Sequence, residues 1–186
     1  MQLVFVTSNP YKAREATEIL QAGVQATDLD LPEIQAVDLK TVAREKARAA
    51  HSALGEPEHP VLVEDSGIVF EAWDGLPGAL TKWFVKSVGN EGLLRMLSGF
   101  EDRSARAVCV VAVARGPVES AVQTFTGEVA GSIASEPRGS LGFGWDPIFI
   151  PATQSRTYAE LGARKHEDSH RSRAFRAARD WLERRR

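Results

Sequence analysis

Pro60-Val-Leu-Val-Glu-Asp-Ser-Gly-Ile-Val-Phe70 is the most telling segment of this 186-residue chain. It opens as a short apolar, β-branched run, the pattern of a buried strand, and the run ends in two adjacent carboxylates. Gly67 is expected to release the backbone before a second apolar run. In open α/β folds, ligands sit just beyond the carboxyl ends of strands. Carboxylates at such an edge can hold a divalent cation or activate a water molecule. The plain alternative is a strand ending in a solvated acidic turn, and the neighbouring segments have to decide between the two.

On the N-terminal side, Leu3-Val-Phe-Val6 is a continuous apolar strand. Thr7-Ser-Asn-Pro10 follows, with a side-chain oxygen to cap a helix and a proline suited to a first helical turn. Ala13, Ala16, Ile19 and Leu20 then recur at helical spacing. Val24 to Leu29 reads as another strand, broken at Leu31-Pro32, and Ala43, Ala47, Ala50 and Leu54 mark a second helix with a small-residue face. After the acidic strand, Gly75-Leu-Pro-Gly78 forms a turn, and Trp83-Phe84 and the set Leu93, Leu94 and Leu97 predict two more helices. Ala105 to Ala114 and Ala121 to Val129 are long β-branched runs with Arg115-Gly-Pro117 between them as a hairpin turn. Gly139-Ser-Leu-Gly-Phe-Gly144 is a glycine-rich loop leading into Trp145-Asp-Pro-Ile-Phe-Ile150, and a last helix turns Ala174, Ala178, Trp181 and Leu182 inward. Early βα units, a β-rich middle and a terminal helix predict one α/β domain over residues 1–186. Its central sheet should be mixed and partly antiparallel, elongated and flanked by helices.

Hydrophobic residues at 43% and charged residues at 26% are ordinary for a globular domain. A formal charge of −2 exerts no global pull toward nucleic acid or membrane. The end from Arg164 to Arg186 is locally basic, with nine Lys/Arg against four Asp/Glu, and Arg184-Arg185-Arg186 reads as a solvated tail. The single cysteine, Cys109, lies in an apolar run and excludes a disulfide or cysteine-based metal site within the chain. Met1-Gln-Leu-Val-Phe-Val6 is too short for a signal peptide, no apolar run approaches membrane-spanning length, and a reducing cytoplasm is the expected compartment.

Four groups of residues are candidates for chemistry. Thr7, Ser8 and Asn9 with Lys12 stand at a helix N-terminus, which favours anions, although the GxxxxGK phosphate loop is missing. Glu33, Glu64 and Asp65 form an acidic set suited to magnesium, which takes one or two carboxylates together with waters and substrate phosphates. In Leu141-Gly-Phe-Gly-Trp-Asp-Pro147, glycines let the backbone approach a flat ligand, Phe143 or Trp145 can stack on a base, and Asp146 can accept hydrogen bonds. Lys165 with Ser169-His170-Arg171 offers donors suited to a purine keto oxygen. Each group alone also fits a bland role: a capped helix, a solvated loop, a tight turn, a charged helix start.

Taken in order, these blocks resemble the inosine triphosphate pyrophosphatase (Ham1-like) family. Thr7-Ser-Asn-x-x-Lys12, Glu64-Asp65-Ser66-Gly67, Gly75-Leu-Pro-Gly78, Phe143-Gly-Trp-Asp-Pro147, Thr157-Tyr-Ala-Glu-Leu161, Lys165 and Ser169-His-Arg171 carry the resemblance, which spans nearly the whole chain. Leu29-Asp-Leu-Pro-Glu33 and Lys82-Trp-Phe84 look like its eukaryotic-type branch. Ser8 replaces the family's usual glycine, and Glu64 stands where many relatives carry a second Asp. The resemblance implies two lobes with a cleft between them, and hydrolysis of ITP, dITP and XTP to monophosphate and pyrophosphate. It implies a magnesium-dependent homodimer with no stable nucleic-acid or membrane partner. Asp65 and Lys12 would be catalytic, and Glu33, Asp65 and Glu64 would face the metal. Thr7, Ser8, Asn9, Lys12, Lys46, Ser66 and Lys82 would bind the substrate, Lys12 and Lys46 neutralising its phosphates. Phe143, Gly144, Trp145, Asp146, Lys165, His170 and Arg171 would bind the base, the last two donating to its 6-keto oxygen. Three alternatives stand beside this reading: a pyrophosphatase for modified pyrimidine nucleotides, a non-catalytic nucleotide sensor, and a nucleic-acid binder working through the basic end.

Overall fold

β3 is one uninterrupted strand, Val61–Phe70, and the sheet is laid against it. The predicted break at Glu64-Asp65 is absent, and both carboxylates lie mid-strand. The cause is the partner strand. β4 (Ser104–Ala114) pairs antiparallel with every residue from Val61 to Phe70, setting Glu64 opposite Val111 and Asp65 opposite Val110. Gly67 serves close approach, not release. A Cβ there would lie 2.1 Å from the Gly78 carbonyl oxygen, so the Gly75–Gly78 turn can press on the strand only at a glycine.

The computed structural model describes residues 2–21, 23–55, 57–116, 118 and 121–185. Among these the six strands run in the order β2-β1-β3-β4-β5-β6. β1 (Gln2–Val6) pairs parallel with β2 (Gly23–Thr27) and, through Val4 and Phe5, with Val61 and Leu62 of β3. β5 (Val122–Ile133) and β6 (Phe149–Pro151) continue the sheet antiparallel, as the β-rich middle predicts. β2 stops short of the expected Leu29, and β5 runs on past Val129. The Arg115 N–H donates to the Ala121 carbonyl at 3.1 Å where the β4–β5 hairpin closes, while Pro117 of the predicted turn lies outside the described residues.

Alternation along β3 assigns its side chains to two layers. Val61, Val63 and Val69 pack with Val108 and Val110 against Ala43, Ala47 and Ala50 of α2 (Leu39–Ala53), the predicted small-residue face. Leu62, with Cys109 and Val111, meets Ala16 and Leu20 of α1 (Pro10–Leu20) and Ala174, Phe175 and Ala178 of α5 (His170–Glu183). A third core around Ile68, Phe70, Leu93, Phe149 and Tyr158 fills the far end. It includes α3 (Thr81–Leu97), whose backbone breaks at Gly89 (φ 68°, ψ −179°), so two helical segments meet there as the sequence predicts. The short α4 (Tyr158–Leu161) belongs to the same end. Parallel pairing of β1 with β3 stops at Leu62, one residue before the polar run approaches, and a cleft opens there between the two ends of the sheet.

Candidate active site

The cleft has a volume of about 590 Å³. α1 delivers the first set of groups to it. Thr7 Oγ1 accepts from the Asn9 N–H at 3.1 Å, and Asn9 Oδ1 accepts from the Tyr11 and Lys12 N–H groups at 3.0 and 3.3 Å. This side-chain cap with Pro10 behind it starts the helix and aims Lys12 back across the sheet. Thr7, Ser8, Asn9 and Lys12 all line the cleft.

The acidic pair divides between faces. Glu64 is buried, with Lys12 Nζ at 3.3 Å from Oε2 and Arg171 Nη2 at 3.3 Å from Oε1. The Cys109 thiol donates to Oε1 at 3.4 Å. Burial alone would raise its pKa, but the charges of Arg171 and Lys12 and a hydrogen bond from Ser66 hold it well below the usual carboxylate range. Asp65 turns the other way, and among the described residues its carboxylate has no ion pair or side-chain hydrogen bond. Burial at the cleft floor, with the charges of Glu64 and Glu33, pushes Asp65 up to about 6 against the pull of Lys12 and Lys46.

Across from Asp65, Glu33 receives Lys46 Nζ of α2 at 2.5 Å and lies 3.6 Å from Lys82 Nζ of α3. Burial works to raise Glu33, and these two ammonium groups overcome it and lower the pKa. The donors therefore suit a hard divalent cation. Asp65 and Glu33 offer carboxylate oxygens to one cleft and feel each other's charge. Among the described residues no group of three or more His, Cys, Asp or Glu side chains is placed to cage an ion.

The base-binding candidates separate into two tiers. Phe143, Gly144 and Trp145 line the cleft, whereas Asp146, Lys165, His170 and Arg171 are buried behind them. Asp146 Oδ2 accepts from the Phe143 N–H at 3.0 Å and from Lys165 Nζ at 2.7 Å, shaping the glycine-rich loop instead of facing the cleft. The Phe143 ring lies 5.2 Å from Lys165 Nζ and 5.4 Å from the Arg171 guanidinium. Arg171 Nη2 also donates to Ser66 Oγ at 3.0 Å. His170 packs beside Trp145 and stacks on Tyr158 at 5.7 Å, and both its ring nitrogens lack a hydrogen-bond partner among the described residues. Burial first, then the neighbouring Arg171 charge, push its pKa well below the ordinary histidine value, so it is neutral at pH 7. The start of α5 can approach this closely because Gly127 of β5 lies beneath it, where a Cβ would fall 2.0 Å from the His170 carbonyl oxygen.

Four residues escaped the sequence reading. Glu15, buried on α1, pairs with Arg171, receives Lys165 Nζ at 3.2 Å, and lies 3.4 Å from His166 Nε2. The available signal was a carboxylate three residues after Lys12 and adjacent to the inward-facing Ala16. Asn90, presented by the Gly89 break, donates from Nδ2 to the Gly144 carbonyl at 2.9 Å and so ties α3 to the aromatic loop. Lys86 and Tyr11 also line the cleft. Nothing in the local pattern distinguishes these last three from surface residues.

An α/β sheet that gathers Lys12, Lys46, Lys82 and Lys86 with Glu33, Glu64 and Asp65 around one cleft defines a protein suited to holding a polyanion. The chain belongs to the Ham1 family, whose sequence pattern matches residues 3–181. It is 45% identical over 185 residues to an inosine triphosphate pyrophosphatase of Tuber melanosporum, covering 97% of this chain and 96% of that protein. It is 43% identical over 185 residues to a dITP/XTP pyrophosphatase of Methanopyrus kandleri, with the same coverage of 97% and 96%. Among solved structures, a HAM1 protein from Coxiella burnetii matches with a TM-score of 0.85 at 30% identity over 98% of both chains.

Proposed function

We propose that this protein hydrolyses the non-canonical purine nucleoside triphosphates ITP, dITP and XTP to the nucleoside monophosphate and pyrophosphate. The observation that carries the reading is the unpaired Asp65 carboxylate facing a lysine-rich cleft, in a chain whose relatives are named for this reaction. Lys12, Lys46 and Lys82 bind the phosphates and offset their charge, the main task of a protein in such transfers. Asp65 accepts a proton from a water molecule as its oxygen bonds to the α-phosphorus. The bond from that phosphorus to the bridging oxygen breaks, and pyrophosphate leaves with the electron pair.

Asp65 and Glu33 would hold Mg²⁺, which when bound supplies charge neutralisation and polarises phosphate oxygens. Glu64, engaged by Lys12 and Arg171, supports this pair from behind as a fixed negative charge. The base stacks on Phe143 after that ring moves off Lys165 and Arg171. The flanking Gly142 and Gly144, at φ +81° and +63°, give the loop conformations closed to most residues. Donors from His170 and Arg171 then meet a 6-keto oxygen. An adenine amino group would leave them unpaired, a mismatch that costs roughly 10⁴–10⁵ in selectivity at sites built this way. The same reading takes a homodimer acting in the cytoplasm, without stable nucleic-acid or membrane partners. The buried free thiol of Cys109 suits a reducing compartment, and no helix among the described residues is long and apolar enough to cross a membrane.

The deciding experiment incubates the chain with Mg²⁺ and ITP and identifies both products, beside ATP and a modified pyrimidine triphosphate. IMP with pyrophosphate is expected, with ITP preferred. IDP with inorganic phosphate rules out attack at the α-phosphorus, and faster turnover of the pyrimidine substrate reassigns the substrate class. Sedimentation velocity reads the oligomeric state directly.

A further inference from the structure

Tyr11 stands apart from the charged lining of the cleft. It is an aromatic residue 53% exposed, in the first turn of α1, where an exposed ring gains nothing from core packing. Its ring stacks on Phe143 with centroids 5.4 Å apart and an interplanar angle of 20°. The two rings come from distant parts of the chain and both line the cleft. Tyr11 stands in the first turn of a helix whose Asn9 cap accepts its backbone N–H, while Phe143 sits between two glycines of positive φ. At this spacing no third aromatic layer fits between them, so a base that stacks on the face of Phe143 turned toward Tyr11 replaces that contact.

We propose that Tyr11 is a base-binding residue: an aromatic platform on α1 that takes one face of the purine ring while Phe143 takes the other. The proposal rests on the nucleotide reading above and adds a residue to it. The Tyr11–Phe143 contact keeps two apolar faces out of water, and the purine inserts in its place. A flat π-face is satisfied by any base, so Tyr11 contributes affinity for a base as such, while the donors behind Phe143 choose which base.

The test compares the unsubstituted chain, Tyr11→Ala and Tyr11→Phe. Steady-state kinetics use ITP, and inorganic tripolyphosphate serves as a competitive inhibitor that carries the phosphates without a base. Tyr11→Ala is expected to raise KM for ITP roughly five- to hundred-fold, the span that base–aromatic stacking reaches on alanine substitution. Tyr11→Phe should restore KM to within about twofold, and the inhibition constant of tripolyphosphate should not move. An unchanged KM in Tyr11→Ala overturns the proposal. So does a fall in KM, which would make the ring only an obstruction, and so does equal weakening of tripolyphosphate, which would place Tyr11 with the phosphates. In each of those three results the enzyme still hydrolyses ITP, so the pyrophosphatase reading survives. Absence of ITP hydrolysis in the unsubstituted chain sinks both together.

Discussion

The two faces of β3 treat neighbouring carboxylates in opposite ways. On the face toward α1 and α5, Glu64 is enclosed by Lys12, Arg171 and Cys109, and its charge is locked in place. On the face toward α2, Asp65 has no ion pair among the described residues and carries a raised pKa despite the charge of Lys12. One residue of strand, a single step in the alternation, separates a structural ion pair from a group poised to take a proton. Both carboxylates border one cleft and differ in their partners, Glu64 being paired with Lys12 and Arg171 while Asp65 has no ion pair among the described residues.

Substitutions on each face should separate these roles. Asp65→Asn should lower kcat for ITP by roughly 10³–10⁴-fold, about 4–5 kcal/mol at the transition state, with the fold intact by circular dichroism. Turnover within tenfold of the parent would mean that the two faces do not differ in the way described. Glu64→Gln should act chiefly on stability. It leaves Arg171 and Lys12 without their buried counter-charge, a loss of about 3 kcal/mol in urea unfolding. An unchanged midpoint would show that the network on that face contributes nothing.

The third prediction concerns pH and is measured without metal. Asp65 has an ordinary value of 3.8 in the unfolded chain and about 6 in the folded one. Above pH 4 the unfolded chain releases its proton first, so the parent loses stability until pH passes about 6. Asp65→Asn escapes this loss. It should therefore exceed the parent by about 2 kcal/mol more at pH 7.5 than at pH 3.5. A constant gap across that window would deny the raised pKa. The smallest effect belongs to Lys46→Ala. It removes the ammonium from Glu33 and is expected to raise KM for ITP about fivefold, near 1 kcal/mol, with little change in unfolding midpoint. A large stability loss instead would make that pair structural, like the one on the opposite face.

Much of the fold was legible because its signals are local. The Asn9 cap with Pro10, the alanine face of α2 and the long β-branched runs of β4 and β5 each declare an element within a few residues. The break expected at Glu64-Asp65 failed because two charges in a row look like a strand end, whereas β4 supplies a hydrogen-bonding partner along the whole of Val61–Phe70. Glu15 and Arg171 illustrate the part of the site that stayed hidden. They pair across 156 positions, a distance at which no spacing rule operates.

By itself, then, the sequence determined the elements, the mixed sheet and the group of residues that resembles one family, since these follow from periodicity, capping and short motifs. Only the tertiary structure decided which helix covers which face of β3. That assignment surrounds Glu64 with cations and leaves Asp65 open, sets Asp146, Lys165, His170 and Arg171 behind the aromatic loop, and brings Tyr11 onto Phe143. The physical reason is that charge compensation, desolvation and stacking depend on distances in space, and only the folded sheet brings β3, α1 and α5 within reach of one another.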